Sequence, residues 1–360
     1  MAALTQKTIL IAGATGLVGY AALKHFTQRP DRQVIALSRR APMETFGARF
    51  IPLDLTDPAA CHAAIGRLTH VTHLVYAALH ELPGLVDGWR DERQIAVNDR
   101  MLRNLLDPLI DAAPDLRHVT LLQGTKAYGV HVRPMRIPAR EGRSELREQP
   151  NFYWNQEDYL RERAAESSWK WTILRPVLIV GEAIGGAMNL IPALGVYAAL
   201  KGGAYPGGAA RLSQAVDADL LARAVDWAGE SPNARNETFN VTNGDAFVWE
   251  NVWPAIAEAA GQRAADPAPF ALNTLLNNPE DWDRIRAAHN LVSPGLRDFV
   301  GLSLEYADYQ MRYGPPSFVS TVKINQAGFH ETMDTEIMFR KWFRVFQRKR
   351  LLPLPDHGIR

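Results

Sequence analysis

The residues best suited to chemistry open the chain. Thr8-Ile-Leu-Ile-Ala-Gly13-Ala-Thr15-Gly16-Leu17-Val18-Gly19 is an apolar run, a turn of small residues and the start of a helix. Glycines spaced Gly-x-x-Gly-x-x-Gly permit a sharp strand-to-helix turn and let backbone N–H groups approach an anion at the helix's positive end. A tight turn alone also needs small residues, so context decides. Here the turn follows the first strand directly and precedes a helix whose apolar positions are Leu17, Val18, Ala21 and Leu23, the setting of a dinucleotide site. Gly13, Thr15, Gly16, Leu17, Val18 and Gly19 are therefore the expected pyrophosphate cradle.

The end of the second strand selects the cofactor. A site for NAD places an acid about twenty residues beyond the glycines, to bind the ribose 2′-hydroxyl. This chain has Ala36-Leu-Ser38-Arg39-Arg40, with no acid between Gln33 and Met43. Two guanidiniums and a hydroxyl suit a 2′-phosphate, so Ser38, Arg39 and Arg40 point to NADPH/NADP+. Asp54 and Leu55 end the third strand, where such folds meet the adenine edge; Asp54 is equally suited to cap the next helix.

A second pair lies further on. Lys126 follows the fifth strand, at the carboxyl edge where ligands bind in such sheets, and Tyr153 opens the next helix and can face the same crevice. Ordinary short-chain dehydrogenases place a lysine four residues after the tyrosine, where its charge lowers the phenol pKa. Position 157 is Glu, which cannot do that, and this speaks against carbonyl redox by the usual Tyr–Lys route. The ten histidines show no metal-ligand spacing, His70-x-x-His73 reads as the approach to a strand, and the single Cys61 forms no intrachain disulfide, so no metal is expected.

These groups must be held by alternating strands and helices. Strands are expected at residues 8–12, 33–37, 48–52, 71–76, 118–122, 171–174 and 238–241, with helices starting near Gly16, Pro58, Arg93, Tyr153, Ala218 and Trp249. This alternation implies an α/β fold: a Rossmann-like doubly wound parallel sheet with a smaller, mainly helical C-terminal substrate region. Residues 1–180 form the expected NADP-binding core; residues 181–360 hold its remaining elements, about 216–260, with the substrate-binding lobe. Residues 129–150 read as a long loop, 180–215 as a glycine-rich apolar stretch, and the chain from about 265 onward as helical.

Composition narrows the partners. A formal charge of +1 leaves no basic excess for nucleic acid, and the cluster Arg340, Lys341, Arg344, Arg348, Lys349, Arg350 reads as a solvated helix face. The most apolar stretch, residues 173–200, is interrupted by Arg175, Pro176, Glu182, Asn189 and Pro192, so no membrane span is expected. Met1-Ala-Ala-Leu-Thr-Gln-Lys7 leads straight into the first strand without room for a signal peptide, and a cytoplasmic protein is expected.

Several further blocks carry a resemblance: Leu121-Leu-Gln123-Gly-Thr-Lys126-Ala-Tyr128-Gly, Asn151-Phe-Tyr153-Trp-Asn-Gln-Glu157-Asp158, Trp171-Thr-Ile-Leu-Arg175-Pro176, Ala187-Met188-Asn189, Asp217-Ala-Asp219, Asn236-Glu-Thr-Phe-Asn240 and Met338-Phe339-x-Lys341-Trp342. In order and spacing, the chain resembles the progesterone 5β-reductase and iridoid synthase-like (PRISE) reductases, an atypical branch of the short-chain dehydrogenases. The resemblance implies hydride transfer from NADPH to the β-carbon of an enone or enal, a 1,4-reduction of an activated C=C bond. It assigns Tyr153 and Lys126 to the carbonyl oxygen, where donors stabilise an enolate. It also places Gln123, Tyr153, Pro176, Ile179 and Met188 near the cofactor. Two departures stand out. Gln123-Gly124-Thr125-Lys126 replaces the family's Gln-Thr-Gly-x-Lys, and its paired tyrosines become Tyr153-Trp154, in which Trp154 can only pack. The expected partner is a small-molecule enone or enal; a homodimer is compatible with the sequence, which leaves oligomeric state open. Carbonyl reduction or epimerisation on the same scaffold, and a non-catalytic NADP(H)-sensing regulator, are the rival readings.

Overall fold

A computed structural model of the chain describes residues 6–82 and 88–355; residues 1–5, read above as free of a leader, lie outside them. The chain divides into two compact units. The first comprises Met1–Val177, Asp219–Val241 and Ser320–His330. Its centre is a seven-stranded sheet built from β1 (Lys7–Ala12), β2 (Arg32–Ser38), β3 (Arg49–Pro52), β4 (His73–Tyr76), β5 (His118–Leu122), β6 (Lys170–Pro176) and β7 (Glu237–Val241). The strands run in the order β7-β6-β5-β4-β1-β2-β3 and every neighbouring pair is parallel. The order reverses between β1 and β4, which makes that crevice the topological switch point of a Rossmann fold. All seven expected strands are present.

Parallel strands are covered on both faces: Ile9, Ile11 and Val75 are buried on one, and the core cluster fills the other. Leu10, Leu74, Val119, Leu121 and Ile173 have no accessible surface and pack in one cluster with Leu102, Leu105, Leu106 and Leu160 from the helices. Each such side chain contributes roughly 1.5–3 kcal/mol relative to exposure. Of the covering helices α1 (Leu17–Thr27), α2 (Pro58–Ile65), α3 (Glu92–Ala112) and α4 (Phe152–Ala165), the last three start where the sequence supplies side-chain caps. Asp57 accepts from the Ala60 N–H with Pro58 at the first helical position, Asp91 from the Arg93 N–H, and Asn151 from the Tyr153 N–H. Residues 129–150 carry no long element, as their composition suggests.

The second unit comprises Leu178–Ala218, Thr242–Val319 and Glu331–Arg360. It is mainly helical, with helices that include Leu190–Lys201, Trp249–Ala259, Pro279–Ala288 and Thr335–Arg348. Leu190–Lys201 escaped the sequence reading for a physical reason. Nine of its twelve residues are buried, so it is apolar all round and shows no amphipathic period. Two short strand pairs were also unread: Leu178–Val180 runs parallel to Ala215–Asp217, and Leu212–Ser213 antiparallel to Phe247–Val248. The basic C-terminal helix is more than a solvated face. Lys341 donates to both oxygens of fully buried Asp217 at 2.9 Å, the Trp342 indole N–H reaches the same carboxylate, and Lys349 pairs with buried Glu182. Among the described residues no helix is long and apolar enough to cross a membrane, and no cluster of His, Cys, Asp and Glu could hold a metal.

Candidate active site

The glycine turn lies at the carboxyl end of β1. Gly13 has φ +88°, and a Cβ there would sit 2.7 Å from the backbone of Ala77 and Ala78, just past β4. Its N–H and that of Ala14 donate to the Leu37 carbonyl at the end of β2. A Cβ on Gly19 would lie 2.1 Å from the Gly13 carbonyl oxygen, so α1 can pack this tightly on the turn only with glycine there. Gly16 caps α1 without a side-chain acceptor, and the first turn holds no acid. The positive end of an eleven-residue helix is thus left for an anion. Both are properties of a phosphate cradle: backbone too close for any side chain, and uncommitted N–H groups.

At the end of β2 the Ser38 hydroxyl donates to the Arg40 carbonyl at 2.6 Å, closing the turn, while Arg39 and Arg40 stand exposed. The Leu53 N–H donates to the Ser38 carbonyl, which brings the end of β3 alongside. Asp54 accepts from the Thr56 N–H at 2.9 Å and from its hydroxyl at 2.8 Å. These bonds hold its carboxyl below the usual range, with the Arg39 guanidinium adding to the effect. Asp57, not Asp54, caps α2, so one of the two sequence readings of Asp54 is taken by its neighbour. Leu55 beside it is buried.

Lys126 and Tyr153 come together through a cap. The Asn151 side chain accepts from the Tyr153 N–H at 3.0 Å and donates to the Lys126 carbonyl at 3.3 Å, tying the start of α4 to the turn Thr125–Tyr128 after β5. The Tyr153 hydroxyl reaches over Gly124, where a Cβ would lie 3.4 Å from it. Trp89 joins them: the Lys126 Nζ lies 3.6 Å from the centre of its ring, and the Tyr153 ring packs edge-on at 5.3 Å. Among the described residues, neither the Lys126 ammonium nor the Tyr153 hydroxyl has a hydrogen-bond acceptor. Burial lowers the Lys126 pKa to about 8, opposed by the charge of Glu81. Burial and Glu81 raise that of Tyr153, opposed by Arg175, so the phenol stays a neutral O–H donor at ordinary pH.

Behind this pair lies a buried polar network. Glu157, one turn after Tyr153 on α4, accepts from Arg147 at 2.6 Å, Arg161 at 3.0 Å and Arg175 at 3.1 Å. Arg175, 1% exposed on β6, also donates to Glu145 at 2.5 Å and to the Gln123 amide oxygen at 2.8 Å. Gln123 in turn donates to the Tyr153 carbonyl at 3.2 Å. Trp154 turns away, its indole N–H on the Gln149 carbonyl and the Arg147 guanidinium over its ring. Pro176 is buried at the end of β6. Ile179, in the strand Leu178–Val180, and Met188, ahead of the helix Leu190–Lys201, are half-buried residues of the second unit. Trp89, Glu81 and the Arg175 partner Glu145 were not singled out from sequence, because they come from segments without a shared motif.

Comparisons with known proteins complete the picture. The family model described as a PRISE-like Rossmann-fold domain matches residues 58–351. The (S)-8-oxocitronellyl enol synthase of Antirrhinum majus is 32% identical, over 93% of this chain and 90% of that protein. The (S)-8-oxocitronellyl enol synthase CYC1 of Camptotheca acuminata is 29% identical, over 97% and 94%. Among solved structures, the UDP-N-acetylglucosamine 4-epimerase of Methanobrevibacter ruminantium M1 superposes with a TM-score of 0.70 at 14% identity, covering 96% of this chain and 99% of that one. At that identity the likeness speaks for the fold alone. The family match over most of the chain, together with relatives aligned nearly end to end, agrees with the motif order around Lys126, Tyr153 and Arg175: the chain belongs to the PRISE-like Rossmann-fold family.

Proposed function

We propose that the protein is an NADPH-dependent reductase of activated C=C bonds in small enones or enals. The observation that carries this reading is the pair of donors, Lys126 and Tyr153, held without acceptors at the carboxyl edge of the sheet while position 157 is an acid engaged by Arg175. The cradle at Gly13, Gly16 and Gly19 fits a pyrophosphate, because Gly13 and Gly19 admit no side chain and Gly16 leaves the helix start without a side-chain cap. Thr15, Leu17 and Val18 complete the turn, Arg39 and Arg40 take the 2′-phosphate, and Asp54 and Leu55 border the adenine. Gln123 and Pro176 border the nicotinamide end.

Bound in that cradle, the reduced nicotinamide supplies a hydride. The chain's own residues act at the other end of the conjugated system. As the β-carbon gains the hydride, the C=C electrons move toward the carbonyl carbon and a negative charge grows on oxygen. Lys126 and Tyr153 donate to that oxygen, and their bonds are strongest when the charge is fully developed. Protonation of the oxygen gives an enol; protonation of the α-carbon gives the saturated carbonyl. The first outcome matches the printed names of the relatives, which are enol synthases. Glu157 cannot assist the phenol as a lysine would, so 1,2-reduction of a carbonyl lacks the charge that usually lowers its proton donor's pKa.

The test is consumption of NADPH with a panel of enones, enals and matched saturated ketones, with products identified by mass and NMR. Turnover of the conjugated substrates alone, with loss of the C=C bond, is the expected result. Products that retain the C=C bond overturn it in favour of carbonyl chemistry. Tight NADPH binding without any turnover overturns it in favour of a sensor.

A further inference from the structure

Trp89 stands where both proposed donors meet. It is 1% exposed, its ring face carries the Lys126 ammonium at 3.6 Å, the Tyr153 ring packs against it edge-on at 5.3 Å and the Phe152 ring tilted at 4.8 Å. Its indole N–H donates to Glu81 Oε1 at 2.9 Å. An ammonium over an indole face is held by the ring quadrupole without a hydrogen bond being spent on it. The N–H bonds that point away from the ring therefore stay free for a substrate oxygen, with none committed to a carboxylate. A carboxylate on the indole N–H adds electron density to the ring and fixes its orientation.

We infer that Trp89 is the positioning residue that holds Lys126 and Tyr153 toward one oxygen, and that Glu81, through the indole N–H, fixes Trp89 and supplies the counter-charge for the ammonium. This rests on the reading of Lys126 and Tyr153 as donors. Glu81 from the loop after β4 and His131 from the loop beyond its own turn face Lys126; Arg90 acts on His131, and Tyr153 from α4 shares the Trp89 ring with the ammonium. Burial, with Lys126 and Arg90, keeps the His131 pKa at about 4, so the ring is neutral, and Tyr153 is neutral as well. Among the described residues Glu81 is the negative charge that favours the protonated amine.

Glu81→Gln keeps an oxygen for the indole N–H and removes only the charge. The alkaline fall of kcat, expected as pH rises through about 8 in the wild type, then moves down by about half a pH unit. The amine shows the same shift without turnover, when its modification by a small acylating reagent is followed against pH by peptide mass spectrometry. Trp89→Leu lowers kcat roughly tenfold with NADPH affinity unchanged, and Trp89→Phe, which keeps a ring face, lowers it by about two- to threefold. Coincidence of the Glu81→Gln and wild-type profiles for both kcat and amine modification overturns the inference, as does wild-type kcat in Trp89→Phe and Trp89→Leu together. Wild-type turnover in Lys126→Met overturns the donor reading itself, whereas an unmoved amine profile beside a crippled Lys126→Met overturns only the part played by Glu81 and Trp89.

Discussion

The two ends of the first turn of α4 treat charge in opposite ways. At Glu157 every oxygen is engaged: three guanidiniums and the Gln123 amide converge on one buried carboxylate, and Arg175 is saturated in turn by Glu145 and Gln123. At Tyr153 and Lys126, one turn away, the polar atoms are held in place by ring contacts and have no acceptor among the described residues. The first region is a clamp whose groups satisfy one another; the second is a set of donors waiting for an oxygen. Gln123 joins them, with its amide oxygen on Arg175 and its N–H on the Tyr153 carbonyl. The rigid side fixes the backbone from which the reactive side projects. Buried polar groups are normally paired, so unpaired donors in a preorganised setting mark a place where something else completes them.

The sharpest break of this contrast is a stability measurement. Arg175→Met leaves Glu157 and Glu145 without their shared buried partner, and should cost about 3–5 kcal/mol in denaturant unfolding. Lys126→Met removes a half-buried charge that has no acceptor and should leave the unfolding midpoint unchanged or raised. Equal losses in the two variants would erase the distinction between clamp and donors.

Turnover should respond the other way. Lys126→Met and Tyr153→Phe each remove one donor and should lower kcat by roughly 100- to 1,000-fold while NADPH binding, measured by fluorescence titration, is retained. Unchanged kcat in both would move the chemistry elsewhere.

The cofactor end gives a smaller and separable effect. Replacing Arg39 and Arg40 together with Ala should weaken NADPH by about ten- to a hundredfold and leave NADH within about twofold. Equal losses for the two cofactors would remove the 2′-phosphate from these residues.

The smallest effect concerns the amino end of the sheet, far from either region. Burial holds His73 at about 4 and His118 at about 3, below the ordinary 6.5. As pH falls below 6.5 the unfolded chain takes up protons that the native rings refuse, so stability declines from there toward pH 4. Between pH 6.5 and 5 the decline should be shallower in His118→Gln, as read from unfolding midpoints at each pH.

Much of the sheet could be read along the chain because its signals are local. Buried parallel strands are short apolar runs, and the glycine turn, Pro58 and Asn151 mark helix starts within a few residues. The helix Leu190–Lys201 was not legible, since a helix buried all round has no polar face to reveal its period. The candidate site was half legible. Lys126 and Tyr153 follow recognisable strand and helix ends, but Trp89 and Glu81 follow no motif, and nothing in their spacing ties them to a lysine 37 or more positions away. The absence of lysine at position 157 was plain in the sequence; that the glutamate there faces an arginine from β6 was not.

The sequence by itself determined the family, the Rossmann alternation, the glycine cradle and the want of an acid after the second strand. Each depends on residue type at fixed short spacing, and backbone sterics act over that same range. The tertiary structure alone decided which charges are paired and which are left free. Charge pairing depends on distances set by strand order and loop closure, so residues 145, 157 and 175 become one clamp, and residues 81, 89, 126 and 153 one cluster, only when the sheet brings them together.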